Sequence, residues 1–292
     1  EGTVLKALSG FYYVGTAEGI VSCRARGRFR LDGVSPLVGD RADISIGSGG
    51  SGTITGIHPR KNYFLRPAVA NIDCMVVLAC AVNPVTDPFL IDRVTALSEN
   101  AGCETVICIS KADLDSGDAL FAIYEGTGHT LIRTSAVTGA GLLRLREAIA
   151  GKLCVFTGNS GVGKSRLLNA LSPELKLRVG EVSDKLGRGR HTTRHIEIFS
   201  LGGGAFIADT PGFSAFDTDR TGHIPKERLQ YTFREFAPHL GKCRFQDCAH
   251  LTEPGCAVRE AVAKGEISGS RHESYARRYE AAAQIKDWEL KG

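Results

Sequence analysis

Eight consecutive residues, Gly158-Asn159-Ser160-Gly161-Val162-Gly163-Lys164-Ser165, fit the spacing of a phosphate-binding loop. In that pattern the glycines let backbone N–H groups close around phosphate oxygens at a helix N-terminus. The lysine sets a charge against the β and γ phosphates, and the hydroxyl that follows faces Mg²⁺. Lys164 is thus a candidate catalytic residue and Ser165 a candidate Mg²⁺ ligand, with Arg166 next to them in the helix that must follow. Downstream, the apolar run Ala205-Phe206-Ile207-Ala208 ends in Asp209-Thr210-Pro211-Gly212. An acid at a strand end can hold Mg²⁺ through water, and a glycine can let a backbone N–H approach the γ-phosphate. The two motifs together imply a nucleoside triphosphatase. Between them lies a basic loop, Gly189-Arg190-His191-Thr192-Thr193, flanked by Lys185, Arg188 and Arg194. A threonine of this loop can complete the Mg²⁺ shell; Thr193 is the candidate, and the residue types alone do not separate it from Thr192.

Ser110-Lys111-Ala112-Asp113 follows the apolar run Glu104 to Ile109 and suggests which base is read. A carboxylate at Asp113 can accept hydrogen bonds from the guanine N1–H and exocyclic amine, a donor pair adenine lacks. Thr134-Ser135-Ala136, after another apolar run, can offer a backbone N–H to the guanine O6. Either segment alone also reads as a surface turn. A third group is Cys243-x4-Cys248-x-His250-x5-Cys256. Three thiolates and one imidazole make a tetrahedral Zn²⁺ set, and a closed set of four is structural, with no open position for catalysis. The spacing is irregular, and free cysteines are the alternative. Finally, Arg24, Arg26, Arg28 and Arg30 alternate with Cys23, Ala25, Phe29 and Leu31. On a strand from Gly19 to Leu31 they would form one row of guanidiniums, either a phosphate-tracking RNA surface or an ordinary solvated face.

These groups need elements to hold them. Short strands at Phe11 to Thr16, Gly19 to Leu31 and Arg41 to Ile46, separated by glycine turns, predict a small β-barrel in the N-terminal segment. From about residue 70 strands and helices alternate: strand Ile72 to Val82, helix Pro88 to Ala101, strand Glu104 to Ile109, strand Thr130 to Arg133, helix Leu142 to Ala150, strand Leu153 to Thr157, helix Arg166 to Leu171. That order implies a parallel sheet with helices on both faces and ligands at its carboxyl edge. After residue 222 the chain turns polar and helical. In its last helix Tyr275, Tyr279, Ala283 and Trp288 fall near one face, read as core packing. The chain of 292 residues is therefore expected to divide into 1–66, 67–222 and 223–292, with net charges of +4, −2 summed from an acidic 67–150 and a basic 151–222, and +2.

Composition excludes other classes. The longest apolar run, Met75 to Val82, is far short of the roughly 18 residues that cross a bilayer. No secretory segment opens the chain, so a cytoplasmic protein that does not engage a membrane is expected. Nine cysteines, six of them single and three crowded into 14 positions, suggest reduced core thiols and a metal site instead of a disulfide framework. Thirty-five glycines cluster where loops and close backbone approaches are expected.

Taken in chain order, the base-reading motifs (110–113, 134–136) precede the phosphate motifs (158–165, 189–193, 209–212), the reverse of ordinary GTPases. With the N-terminal barrel and the C-terminal cysteine cluster, this sequence resembles the circularly permuted GTPases of the small ribosomal subunit biogenesis family over nearly its whole length. The resemblance implies an OB-fold domain, a permuted GTPase core binding GTP and GDP, and a mainly helical zinc domain. It also implies late maturation of the 30S subunit as the function, with contact to 16S rRNA. It matches zinc to the same four positions and supports a role for the 189–193 loop. One departure is Ser110, where the family's base-reading motif usually has asparagine.

Phe213 follows the Asp-Thr-Pro-Gly motif, where Ras-like enzymes place the glutamine that orients water. It cannot hydrogen-bond water, so unassisted turnover is expected to be slow, about 10⁻⁴ to 10⁻² per second, with stimulation by the ribosome. His191 is the candidate for the missing water-orienting group, and a loop touching rRNA is the alternative reading. Competing functions are a nucleotide-dependent RNA-binding protein with little hydrolysis of its own and a P-loop metabolic kinase. The latter has no use for two guanine-reading motifs. Nothing in the sequence demands more than a monomer.

Overall fold

The computed structural model describes residues 1–27, 29, 34–47, 49–65, 67–177, 196–209 (of Asp209, the backbone) and 224–285. Of the residues singled out above, Arg28, Arg30, Leu31, those of the basic loop from Lys185 to Arg194 (His191, Thr192 and Thr193 among them), Thr210, Pro211, Gly212, Phe213 and Trp288 lie outside that set.

Strands β1 (Gly2–Leu8), β2 (Phe11–Thr16), β3 (Gly19–Ala25), β4 (Arg41–Ile46) and β5 (Gly52–Ile57) form the expected barrel. They pair in the order β1-β2-β3-β5-β4, and β4 returns to β1 to close the ring. Inward positions of each strand fill its centre: Val4, Val14, Cys23, Ala42 and Ile54 are buried together. The long strand expected from Gly19 to Leu31 is corrected by the structure, because β3 stops at Ala25. Beyond it the chain turns at Gly27, with the Phe29 N–H bonded to the Arg26 carbonyl at 3.1 Å. Beyond that turn Phe29 is buried in the barrel core with Cys23.

A two-stranded ribbon, β6 (Tyr63–Leu65) with β7 (Ala68–Ala70), leads into the central sheet. There β8 (Cys74–Cys80), β9 (Glu104–Ser110), β10 (Thr130–Arg133), β11 (Leu153–Thr157) and β13 (Ala205–Asp209) run parallel in the order β10-β9-β8-β11-β13. β12 (Glu197–Gly202) adds antiparallel to β13. β8 is apolar and buried at all seven positions, as a strand covered on both faces must be. Its odd-numbered residues pack with helices α1 (Pro88–Asn100) and α2 (Asp118–Tyr124). Its even-numbered residues pack with α3 (Leu142–Ile149) and α4 (Lys164–Leu171). The helix expected from Arg166 begins two residues earlier, so Lys164 and Ser165 belong to its first turn. The six single cysteines are buried free thiols, as expected.

The C-terminal part contains α5 (Lys226–Leu229), two 3₁₀ turns, α6 (Ala257–Ala263) and α7 (Gly269–Gln284) around a core of Phe233, Phe236, Val258 and Tyr275. It docks on α1 through a buried charge. Arg271 is fully buried and donates to Asp92 Oδ1 at 2.6 Å, Thr95 Oγ1 at 3.2 Å and Glu235 Oε1 at 2.7 Å. The Tyr124 hydroxyl adds a donor to Asp92 Oδ1 at 2.8 Å. Burial pushes the Asp92 carboxyl up, while Arg271 pulls against it. Burial likewise works against the Arg271 charge, but Asp92 and Glu235 outweigh it and hold the guanidinium protonated. Among the described residues no helix is long and apolar enough to cross a membrane.

Removing one partner of a buried ion pair strands the other. Arg271→Met is therefore expected to cost about 3–5 kcal/mol, read as a lower urea midpoint. An unchanged midpoint would mean that the docking does not depend on this charge.

Candidate nucleotide site and zinc centre

The phosphate loop leaves β11 at Thr157 and enters α4 at Lys164. Gly158, at φ 154°, lies so close to β8 that a Cβ would stand 2.6 Å from the Leu78 carbonyl oxygen. Gly163 caps α4 in the left-handed region, φ 97°, a conformation that turns the chain sharply into the helix. Val162 is buried beneath the loop, while Asn159, Lys164 and Ser165 are half-buried and Ser160, Gly161 and Arg166 are exposed. The first turn of α4 has N–H groups without intrahelical acceptors, so the loop fits a phosphate ligand. Asp209 ends β13, whose parallel pairing with β11 brings its carboxyl end to the same sheet edge. Ser165 at this edge is suited to Mg²⁺ bound with a nucleotide. The side chain of Asp209, and all of His191, Thr193 and Gly212, fall outside the described residues.

The two base-reading segments leave the neighbouring strands β9 and β10. They are tied together by Ala112 N–H to Thr134 O at 3.0 Å and Thr134 N–H to Ile109 O at 2.8 Å. Ser110 then joins them to the phosphate loop. Its buried hydroxyl lies 2.6 Å from the Val162 carbonyl oxygen and 3.0 Å from that of Ala79. A hydroxyl has one proton, and the shorter contact directs it to Val162. Ser110 thus braces one loop against the other. Lys111, at φ 57°, sends its ammonium to the Asn83 carbonyl at 2.8 Å. The loop carrying Asn83 also sets Pro84 against Gly161. Asp113 is exposed at the edge. Ser135 turns inward: its hydroxyl accepts from Val137 N–H at 3.2 Å and Thr138 N–H at 3.1 Å, and its own N–H donates to Ala140 O at 3.0 Å. Among the described residues no partner is seen for the Ala136 N–H, which leaves it as the donor this loop can offer.

Cys243, Cys248, His250 and Cys256 converge, with all ligand atoms within 4.8 Å of one another. Two S···N edges, Cys243 to His250 Nδ1 and His250 Nδ1 to Cys256, measure 3.5 and 3.4 Å, and the Cys243–Cys256 S···S edge is 3.9 Å. A tetrahedron with Zn–S of about 2.3 Å and Zn–N of about 2.05 Å has edges of about 3.55 and 3.8 Å. Cys243, His250 and Cys256 therefore stand at zinc spacing, and Cys248 completes the donor set within the 4.8 Å span. His250 Nε2 donates to Gln230 Oε1 at 2.9 Å, which leaves Nδ1 unprotonated as the ligand. Burial holds the His250 imidazole neutral and pushes the thiols of Cys248 and Cys256 up, Cys248 to about 12. Glu253 shapes the loop by accepting N–H bonds from Ala249, Leu251 and Thr252 at 2.9, 2.8 and 3.0 Å. His272 donates to the His250 carbonyl at 2.7 Å. Sequence spacing gave no signal for Gln230, 20 residues away, or for Asn83.

The row of arginines is only partly described. Arg24 is exposed on β3 with its guanidinium 4.6 Å from the centre of the Phe11 ring, and Arg26 is exposed beyond the strand's end. The period-two argument therefore holds for Arg24 and does not extend to Arg26.

Residues 57–219 match the model of the RsgA GTPase, and residues 1–54 that of the RsgA N-terminal domain. The small ribosomal subunit biogenesis GTPase RsgA of Caldanaerobacter subterraneus subsp. tengcongensis is 43% identical over 278 residues, 94% of this chain and 93% of that protein. Its namesake in Geobacillus thermodenitrificans is 44% identical over 281 residues, 94% of each. Among solved structures, YjeQ from Thermotoga maritima superposes with a TM-score of 0.81 at 35% identity, covering 98% of this chain and 99% of the other. YloQ, described as a circularly permuted GTPase, gives 0.77 at 35% identity, covering 98% and 95%.

Ser110→Ala is expected to leave the Val162 carbonyl without its buried donor. A penalty of about 1–2 kcal/mol corresponds to a roughly 5- to 30-fold weaker Kd for GTP. Titration with a fluorescent GTP analogue measures it, and unaltered affinity would remove Ser110 from the nucleotide site.

Proposed function

Since the chain belongs to the RsgA GTPase family, we propose that it hydrolyses GTP to GDP and phosphate on the 30S ribosomal subunit and assists that subunit's late maturation. The observation that carries this reading is the lacing of both base-reading loops to the phosphate loop by Ser110 at one edge of the sheet. In this reading the N–H groups of residues 158–166 hold the phosphates and Lys164 offsets charge that grows on the β–γ bridge as it breaks. Asp113 accepts the two guanine donors and the Ala136 N–H meets O6, which excludes adenine. Ser135 contributes by holding the loop, and Lys111 by bracing the Asn83 loop across the site.

Ser165, Thr193 and Asp209 hold Mg²⁺, which supplies charge neutralisation at the phosphates. Phe213 leaves attacking water without an orienting side chain, and His191 fills that role when the subunit is bound. Zinc, held by Cys243, Cys248, His250 and Cys256, stabilises a fold unit and takes no part in the chemistry.

The division into an OB-fold domain 1–66, a permuted core 67–222 and a zinc domain 223–292 accompanies this reading. The barrel contacts 16S rRNA through Arg24, Arg26, Arg28 and Arg30, their charges set against phosphates. The protein acts in the cytoplasm as a monomer.

The test is GTP hydrolysis with and without purified 30S subunits, where a rise of at least about tenfold is expected, in the range that supplied transition-state groups confer on slow GTPases or below it. A rate that ignores the subunit would overturn the ribosomal part and leave the GTPase intact. For base recognition, Asp113→Asn is expected to exchange guanine for xanthine preference in competition with GTP, XTP and ATP. Retained preference for GTP would mean another group reads the base.

A further inference from the structure

The barrel and the central sheet are joined along β1. Val4 is bonded on both sides to the chain beside it, its N–H to Asp40 O at 2.9 Å and its carbonyl to Gly39 N–H at 2.8 Å. That neighbouring segment is fastened to the core, with Ala70 N–H on Val38 O at 2.8 Å and Asn71 Nδ2 on Gly39 O at 3.0 Å. Two residues further along β1, Lys6 pairs with Glu197, the position at which β1 meets β12. Their side chains close an ion pair of 2.6 Å that is 28% and 35% exposed.

Glu197 has a second cross-strand partner. In the β12–β13 ladder it is opposite Asp209, so Lys6, Glu197 and Asp209 occupy one lateral row from barrel to nucleotide edge. The residues beside it, Ile196 and Ile198, pack against the barrel core and also against the sheet core that contains Val69 and Ala208. β12 is thus wedged between the two cores, and its first residue is held from the barrel side by one charge. Opposite charges at facing strand positions favour a particular register, and that preference is lost when either is neutralised.

We propose that Lys6 and Glu197 are a positioning pair for GTP hydrolysis, transmitting subunit contact at the barrel to the strand end that carries Asp209. The inference rests on the ribosome-stimulated GTPase reading above. In the free protein the backbone ladders suffice to hold β12 and β13. When the barrel is loaded against the subunit, the ion pair keeps β12 in step with β1, so that the nucleotide edge moves with it.

The test uses full-length, zinc-loaded protein: wild type, Lys6→Met, Glu197→Gln, and the swap combining Lys6→Glu with Glu197→Lys. Hydrolysis is measured alone and with purified 30S, alongside 30S affinity and thermal midpoint. Both single variants are expected to keep unstimulated kcat and KM for GTP within about twofold, while 30S-stimulated kcat falls roughly 5- to 10-fold, the low end of coupling between sites. Their 30S affinity is expected to be unchanged, and the swap to restore at least half of the stimulation. Full stimulation in the single variants, a swap that fails to restore it, or loss of stimulation that only tracks weaker 30S binding would each overturn the proposal. If the wild type itself is not stimulated, the ribosomal reading falls and this inference falls with it.

Discussion

Parallel strands point their carboxyl ends the same way, and the nucleotide site depends on that constraint. β10, β9, β8, β11 and β13 are neighbours in space and delivered in a different order by the chain. The loop after each strand therefore arrives at one edge regardless of when it was synthesised. The base-reading loops after β9 and β10 can precede the phosphate loop in sequence and still stand beside it. Alignment alone is not recognition, however, because loops at one edge can move separately. The Ser110 hydroxyl on the Val162 carbonyl and the bonds between Ala112, Thr134 and Ile109 make the loops one object. Gly158 lets the loop close against β8, and Val162 stands within reach of the Ser110 hydroxyl.

The two flanking units are attached by different physics. The barrel is joined by sheet continuity, β1 on β12, with hydrogen bonds that are sensitive to register. The C-terminal part is joined by packing α7 against α1 with Arg271 buried at the seam. A buried guanidinium tolerates few arrangements, since Asp92, Thr95 and Glu235 must all meet its fixed fork. Its contribution is specificity of docking more than net stability, because desolvation cancels much of the attraction. His129 lies in the same low-dielectric region. Burial, reinforced by Arg271 and Arg234, lowers its pKa to about 3, so the ring stays neutral and adds no competing charge.

Much of this is legible from sequence because it depends on local rules. The phosphate loop, the alternation of strands and helices, and the convergence of three cysteines and a histidine all have short-range signatures. β3 reads as a longer strand than it is because alternating arginines mimic a half-buried strand, and that alternation carries no signal for the turn at Gly27. In α7 the side chain of Tyr275 is core, as its periodicity suggests, whereas Arg271, which no periodicity singles out, is also buried. A charge is buried only if partners exist, and Asp92 is 179 residues away. Gln230 at the zinc histidine and Asn83 at Lys111 are illegible for the same reason: each is a pairing made by topology, with no periodicity to announce it.

Placing the phosphate loop late in the chain also changes what the sensing strands are connected to. Among the described residues β13 is the last strand in chain order, and β12 is bonded to the barrel. The barrel therefore bears on the β12–β13 hairpin directly, through β1 and the Lys6–Glu197 pair. The C-terminal part is held on α1 by the Arg271 contacts, and β12 is held on β1 by the Lys6–Glu197 pair. Breaking a buried ion pair costs more than shifting a half-exposed one. Of the two ion pairs that fasten the flanking parts, Lys6 with Glu197 is therefore the weaker.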